Sequence, residues 1–92
     1  MKIVIESQKD IESNLNDIKK IFRFMKNPFK FNETNRKSCF EVGIVDSKIQ
    51  IIFSDYGHIL GIPANDDSEN EEDKFYVTYE IYLSYKDYAK FN

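Results

Sequence analysis

Apolar residues change their spacing along this chain, and each change marks an element. In residues 2–6, Ile3 and Ile5 face one way and Val4 the other. That pattern predicts a short strand covered on both faces and placed centrally in a sheet. From Ile11 the period lengthens. Ile11, Leu15, Ile18, Phe22 and Met25 follow at spacings of four, three, four and three. These positions form one face of a single helix of about five turns. Ile21 and Phe24 widen its stripe. Ser7 is placed to cap its start, with Asp10 completing a capping box in which aspartate replaces the usual glutamate. Asn27-Pro28 ends it, because proline disfavours helical geometry in the preceding residue.

After a polar, basic stretch at 27–38 that reads as a loop, the period drops to two. Phe40, Val42 and Ile44 alternate with Glu41, Gly43 and Val45; Ile49, Ile51 and Phe53 alternate with Lys48, Gln50 and Ile52. Asp46-Ser47 between them predicts a tight β-hairpin. Gly43 inside a strand predicts a bulge or a close backbone approach. Residues 54–57 read as a second turn and 58–62 as a short returning strand ended by Pro63. Residues 64–73 form an acidic loop. Lys74 to Tyr85 is the longest predicted strand. Phe75, Val77, Tyr79, Ile81, Leu83 and Tyr85 share its inner face, and Tyr76, Thr78, Glu80, Tyr82 and Ser84 its outer face. The tail, 86–92, is expected to add a turn of helix.

The order β-α-β-β-(β)-β predicts one small α+β domain over residues 1–92. It has two layers: an N-terminal amphipathic helix packed on a mainly antiparallel sheet of four or five strands. The helix is expected to cover the face bearing Phe40, Val42 and Ile44, leaving the other face to solvent or a partner. A chain of 92 residues holds only a thin core. Eight Phe and six Tyr enlarge the area each core position buries.

Charge adds a second division. Residues 1–37 carry nine Lys or Arg and five acids, a net of +4. Residues 38–92 carry four Lys and eleven acids, a net of −7, and the two sum to the −3 of the chain. Residues 66–73 hold six carboxylates: Asp66, Asp67, Glu69, Glu71, Glu72 and Asp73. The run is a solvated loop, a patch that docks on a basic protein surface, or a mimic of nucleic-acid phosphates. It lacks the central glycine of a calcium loop. The single cysteine, Cys39, rules out an internal disulfide and a cysteine-rich metal site. No metal or cofactor is expected. The early charges and the absence of a long apolar run predict neither a signal peptide nor a membrane span. The expected location is the cytoplasm of a bacterial or archaeal cell, or of a virus-infected host cell.

Three residues hint at catalysis: Cys39, Asp55 and His58. Asp55-Tyr56-Gly57-His58 reads more simply as a turn, and neither a phosphate-binding loop nor a nucleophile elbow is present. The expectation is a non-enzymatic protein. Outward Tyr76 and Tyr82 flanking Glu80 are expected interface anchors, since tyrosine is enriched at binding hot spots. The chain shares size, charge and composition, though no motif, with small acidic immunity proteins, antitoxins and phage anti-defence proteins. The leading expectation is therefore an acidic inhibitor that blocks a basic, nucleic-acid-binding surface of a target protein, such as a nuclease. The alternatives are a nucleic-acid-binding module using Lys19, Lys20, Arg23, Lys26, Lys30, Arg36 and Lys37, or a homo-oligomer joined through an edge strand or the tyrosine face. Cations near a helix C-terminus are favoured by its dipole without any ligand, which weighs against the nucleic-acid reading.

Overall fold

The computed structural model describes residues 1–28, 38–55, 60 and 77–92. The elements in chain order are β1 (Lys2–Ile5), α1 (Gln8–Ser13), α2 (Leu15–Lys26), β2 (Cys39–Val45), β3 (Lys48–Asp55), β4 (Val77–Leu83) and α3 (Tyr85–Phe91). The four strands form one sheet in the order β1-β4-β3-β2. β2, β3 and β4 are antiparallel to one another, and β1 joins β4 in parallel. The protein is a two-layer α+β domain. The predicted strand at 58–62, the acidic loop and the start of the last strand, 74–76, lie outside the described residues.

Register follows from the apolar period. Ile51 pairs with Val42 on one side and Ile81 on the other; Phe53 pairs with Phe40 and Tyr79. One side of the sheet therefore carries Ile5, Ile49, Ile51, Phe53, Val77, Tyr79, Ile81 and Leu83, all buried, and meets Ile18, Ile21, Phe22 and Phe24 of α2. The two apolar sides of α2 meet different neighbours. Phe22 packs on Tyr88 and Phe91 of α3, each with ring centroids 5.4 Å apart. Phe24 sits edge-on to Phe40 and Phe53 at 5.8 and 5.4 Å. The Tyr79 hydroxyl crosses the layer to donate to the Asp17 carboxylate at 3.0 Å. Burial first, and then that carboxylate, push the Tyr79 phenol well above its ordinary pKa.

Five expectations are corrected. β1 is an edge strand and not a central one: Val4, on the side without helices, stays 44% exposed. The predicted single helix is two. The capping box at Ser7 and Asp10 forms as expected, but Asn14 ends α1 and begins α2. Its side-chain amide donates to the Asp10 carbonyl at 2.8 Å, a local bond that competes with continuous helix. The break turns Leu15 out of the stripe to 38% exposure. Gly43 makes no bulge, since its pairing with Gln50 is in register, and among the described residues a Cβ there would touch nothing within 4 Å. Tyr85 is not on the strand: Ser84 accepts from the Asp87 N–H at 3.1 Å, caps α3, and leaves Tyr85 on the surface. Finally, the helices do not cover all of β2. Phe40 packs under Phe24, yet Val42 is 47% and Ile44 69% exposed.

The Asp46-Ser47 hairpin forms as predicted. Both residues have positive φ, 50° and 62°. This is the backbone of a type I′ turn, in which glycine at the second position avoids the Cβ strain of a left-handed residue. Ser47→Gly is expected to stabilise the protein by about 0.5–1 kcal/mol. Thermal unfolding followed by circular dichroism would read this as a rise in Tm, and a fall would contradict the turn geometry.

Candidate functional site

The side of the sheet away from the helices has no described element packed on it. Its rows are Lys2 and Val4 on β1, Thr78, Glu80 and Tyr82 on β4, Gln50, Ile52 and Ser54 on β3, and Cys39, Glu41, Gly43 and Val45 on β2. This assignment follows from the strand register. At its centre the polar groups are linked across three strands. Lys2 Nζ meets Glu80 Oε2 at 2.9 Å, and the Tyr82 hydroxyl donates to Glu80 Oε1 at 3.0 Å. Gln50 Nε2 in turn donates to the Tyr82 oxygen at 3.0 Å. The hydrogen bonds from Lys2 first, and then from Tyr82, hold the Glu80 carboxyl below its ordinary value of 4.5. A depressed carboxylate favours the folded state above the unfolded pKa. That contribution is lost as pH falls through the lowered value.

The ladder is bordered by apolar surface. Val4 is exposed on one side and Val45 on the other, and half-buried Ile52 lies between the polar rows. At the hairpin end an open groove of about 280 Å³ is lined by Glu6, Val45, Asp46, Lys48 and Tyr82. Two carboxylates and one ammonium make its walls mixed in charge, with the tyrosine ring among them.

The expected partner-binding residues Glu80 and Tyr82 are thus brought together, with the tyrosine outward as its alternation required. Tyr76 and all six carboxylates of 66–73 lie outside the described residues. Sequence reasoning missed Lys2 and Gln50. Gln50 falls in the outward row of its strand, but only the β3–β4 register sets it opposite Tyr82.

Lys19, Lys20, Arg23 and Lys26 are exposed on α2, on the other side of the molecule from this face; Lys30, Arg36 and Lys37 lie outside the described residues. Lys20 Nζ reaches the Leu60 carbonyl at 3.5 Å. Phe22 and Phe24, the aromatics interleaved with these cations, are both buried and offer no ring to a base. Asp55 and Cys39 are separated by the sheet. Asp55 is 3% exposed on the helix side, where it accepts from the Ser38 hydroxyl and the Leu60 N–H, both at 3.1 Å. Cys39 is exposed and its register places it on the opposite side. His58 lies outside the described residues. Among the described residues no group of three or more His, Cys, Asp or Glu converges as a metal site would require, and no helix is long and apolar enough to cross a membrane. No protein-family model, curated protein or solved structure matches this chain.

Proposed function

We propose that the protein is a non-enzymatic binding protein that docks on a basic protein surface through the helix-free side of its sheet, and so inhibits its target. The observation that carries this reading is the Lys2–Glu80–Tyr82–Gln50 ladder. Its groups satisfy one another, so none is held in reserve to abstract a proton or attack a substrate. A tyrosine already fixed by two hydrogen bonds loses little freedom on docking. Exposed Val4 and Val45 beside it supply apolar contact, the mixture of aromatic, apolar and satisfied polar groups that protein interfaces favour. The acidic run ends at Asp73, with only residues 74–76 between it and β4. Six carboxylates so near the face in sequence favour a basic partner, of the kind that otherwise holds nucleic acid, and would accelerate the encounter. Size, acidity and this docking mode suit an immunity, antitoxin or phage anti-defence role in the cytoplasm.

The test is capture of partners by the tagged full chain from lysate of its native host, repeated with Tyr82→Ala and with residues 66–73 neutralised. The expected result is a stoichiometric basic protein that both variants fail to retain. Its association rate with the wild type should fall by about tenfold or more as salt rises, and neutralisation should flatten that dependence. Recovery of nucleic acid alone would instead favour the α2 cations. A partner retained equally by both variants would refute the proposed surface.

A further inference from the structure

The two edges of the sheet are protected unequally. β1 is four residues long and carries Lys2. β2 is seven residues long, with no bulge, no proline and one charge, Glu41. Among the described residues nothing pairs with its outer edge. A long, regular, weakly charged edge is open to pairing with another strand.

The phase of that edge can be derived. In a two-residue hairpin the residues flanking the turn form a hydrogen-bonded pair, here Val45 and Lys48. Val45, Gly43, Glu41 and Cys39 therefore direct their N–H and C=O groups to β3. Phe40, Val42 and Ile44 direct theirs away from the sheet. The same three residues carry the apolar side chains on the helix side, where Val42 and Ile44 are left uncovered.

We propose that β2 pairs antiparallel with β2 of a second copy about a two-fold axis through Val42, joining the two sheets into one. In this register the outward backbone groups of Phe40, Val42 and Ile44 meet those of Ile44, Val42 and Phe40 of the second copy. Their side chains form an unbroken apolar row on the helix side. On the other side Cys39 lies opposite Val45, and Glu41 opposite Gly43. Among the described residues a Cβ at Gly43 would touch nothing. Across the axis its missing side chain leaves room for the stem of Glu41. The neighbouring registers are worse. An axis through Glu41 sets two carboxylates against each other, which destabilises directly opposed pairs. An axis through Gly43 shortens the paired segment to residues 41–45. The interface is isologous, so it closes at two copies and does not propagate. It uses neither the ladder nor the acidic run and does not rest on the inhibitor reading.

Sedimentation velocity on the full chain over rising concentration, with Val42→Pro and Ile44→Lys, tests the pairing. Val42→Pro removes an outward N–H, which an edge strand tolerates; Ile44→Lys places charge at the seam from a side chain already exposed. The wild type is expected to dimerise with concentration, and both variants to remain monomeric with unchanged circular dichroism. Val45→Cys tests the register. Residues 39 and 45 would form a non-hydrogen-bonded pair with Cα atoms about 4.5 Å apart, within disulfide reach. In one strand those positions are about 20 Å apart, so a disulfide between them must join two chains. With copper phenanthroline as oxidant, Val45→Cys should give a reducible dimer band, faster than the wild type or Lys26→Cys. A monomer at every concentration, or a dimer that survives both edge variants, would overturn the pairing. A dimer lost in those variants, yet cross-linked no faster through Val45→Cys than in the controls, would overturn the register.

Discussion

Phe53→Ala is expected to lower stability by about 3–5 kcal/mol, the usual cost of emptying a closed aromatic site. Phe53 has no exposed surface, lies between Phe40 and Tyr79 in the sheet, and is capped edge-on by Phe24. Its neighbours come from two flanking strands and a helix that also pack on one another, so they cannot collapse into the space. A chain of 92 residues has a total stability of only about 5–14 kcal/mol at typical values per residue. The substitution therefore removes a large fraction of it. Urea unfolding should show the midpoint displaced downward by about 2–5 M, taking a slope near 1–1.5 kcal/mol per molar urea for a small protein. Phe53→Leu, which keeps most of the volume, should cost much less. A displacement for the alanine variant no larger than for leucine would mean that the ring is not enclosed as described.

Asp55→Ala is the second large effect, expected at about 2–3 kcal/mol. Asp55 is a buried carboxyl group that accepts from the Ser38 hydroxyl and the Leu60 N–H. Leu60 is itself buried, so losing the carboxylate leaves a backbone donor without its acceptor in a low-dielectric site. That loss outweighs the net worth of the bond itself. Asp55→Asn should be milder, because one oxygen still accepts from Leu60 while the amide donates to the serine oxygen. Ser38→Ala, which removes only the exchangeable hydroxyl, should be milder than Asp55→Ala as well. Chemical denaturation of the three variants checks the order. Equal losses for alanine and asparagine would show that these two bonds do not carry the effect. Through these bonds Asp55 ties residues 38 and 60 to the end of β3.

Much of this fold was legible wherever period and chain geometry agreed. A strict alternation fixes which side of a strand faces in, so Tyr79 inward and Tyr82 outward followed from the sequence, as did the hairpin about Asp46-Ser47. Two departures have local causes. Asn14 interrupts a five-residue apolar stripe through a side-chain bond that periodicity does not register. The α3 cap was present as Ser84-Tyr85-Lys86-Asp87, but the alternation of 77–83 ran on smoothly into Tyr85 and masked it. The apolar character of β1 and β2 does not tell an edge from a centre, because strand order is set by long-range pairing. For the same reason the ladder was half visible: Glu80 and Tyr82 share a strand, while Lys2 and Gln50 reach them only through register.

The parallel pairing of β1 with β4 also bears on how the protein is made. Residues 2–5 are synthesised about seventy residues ahead of their partner, residues 77–83. At roughly 5–20 residues per second the interval is about 4–15 s. Throughout it α2 can present Ile18, Ile21, Phe22 and Phe24 to no completed sheet, while the β2–β3 hairpin, a local pairing, can already form. During that interval the nascent chain carries an apolar helix and an unpaired β1, a window in which a holding chaperone would find its substrate.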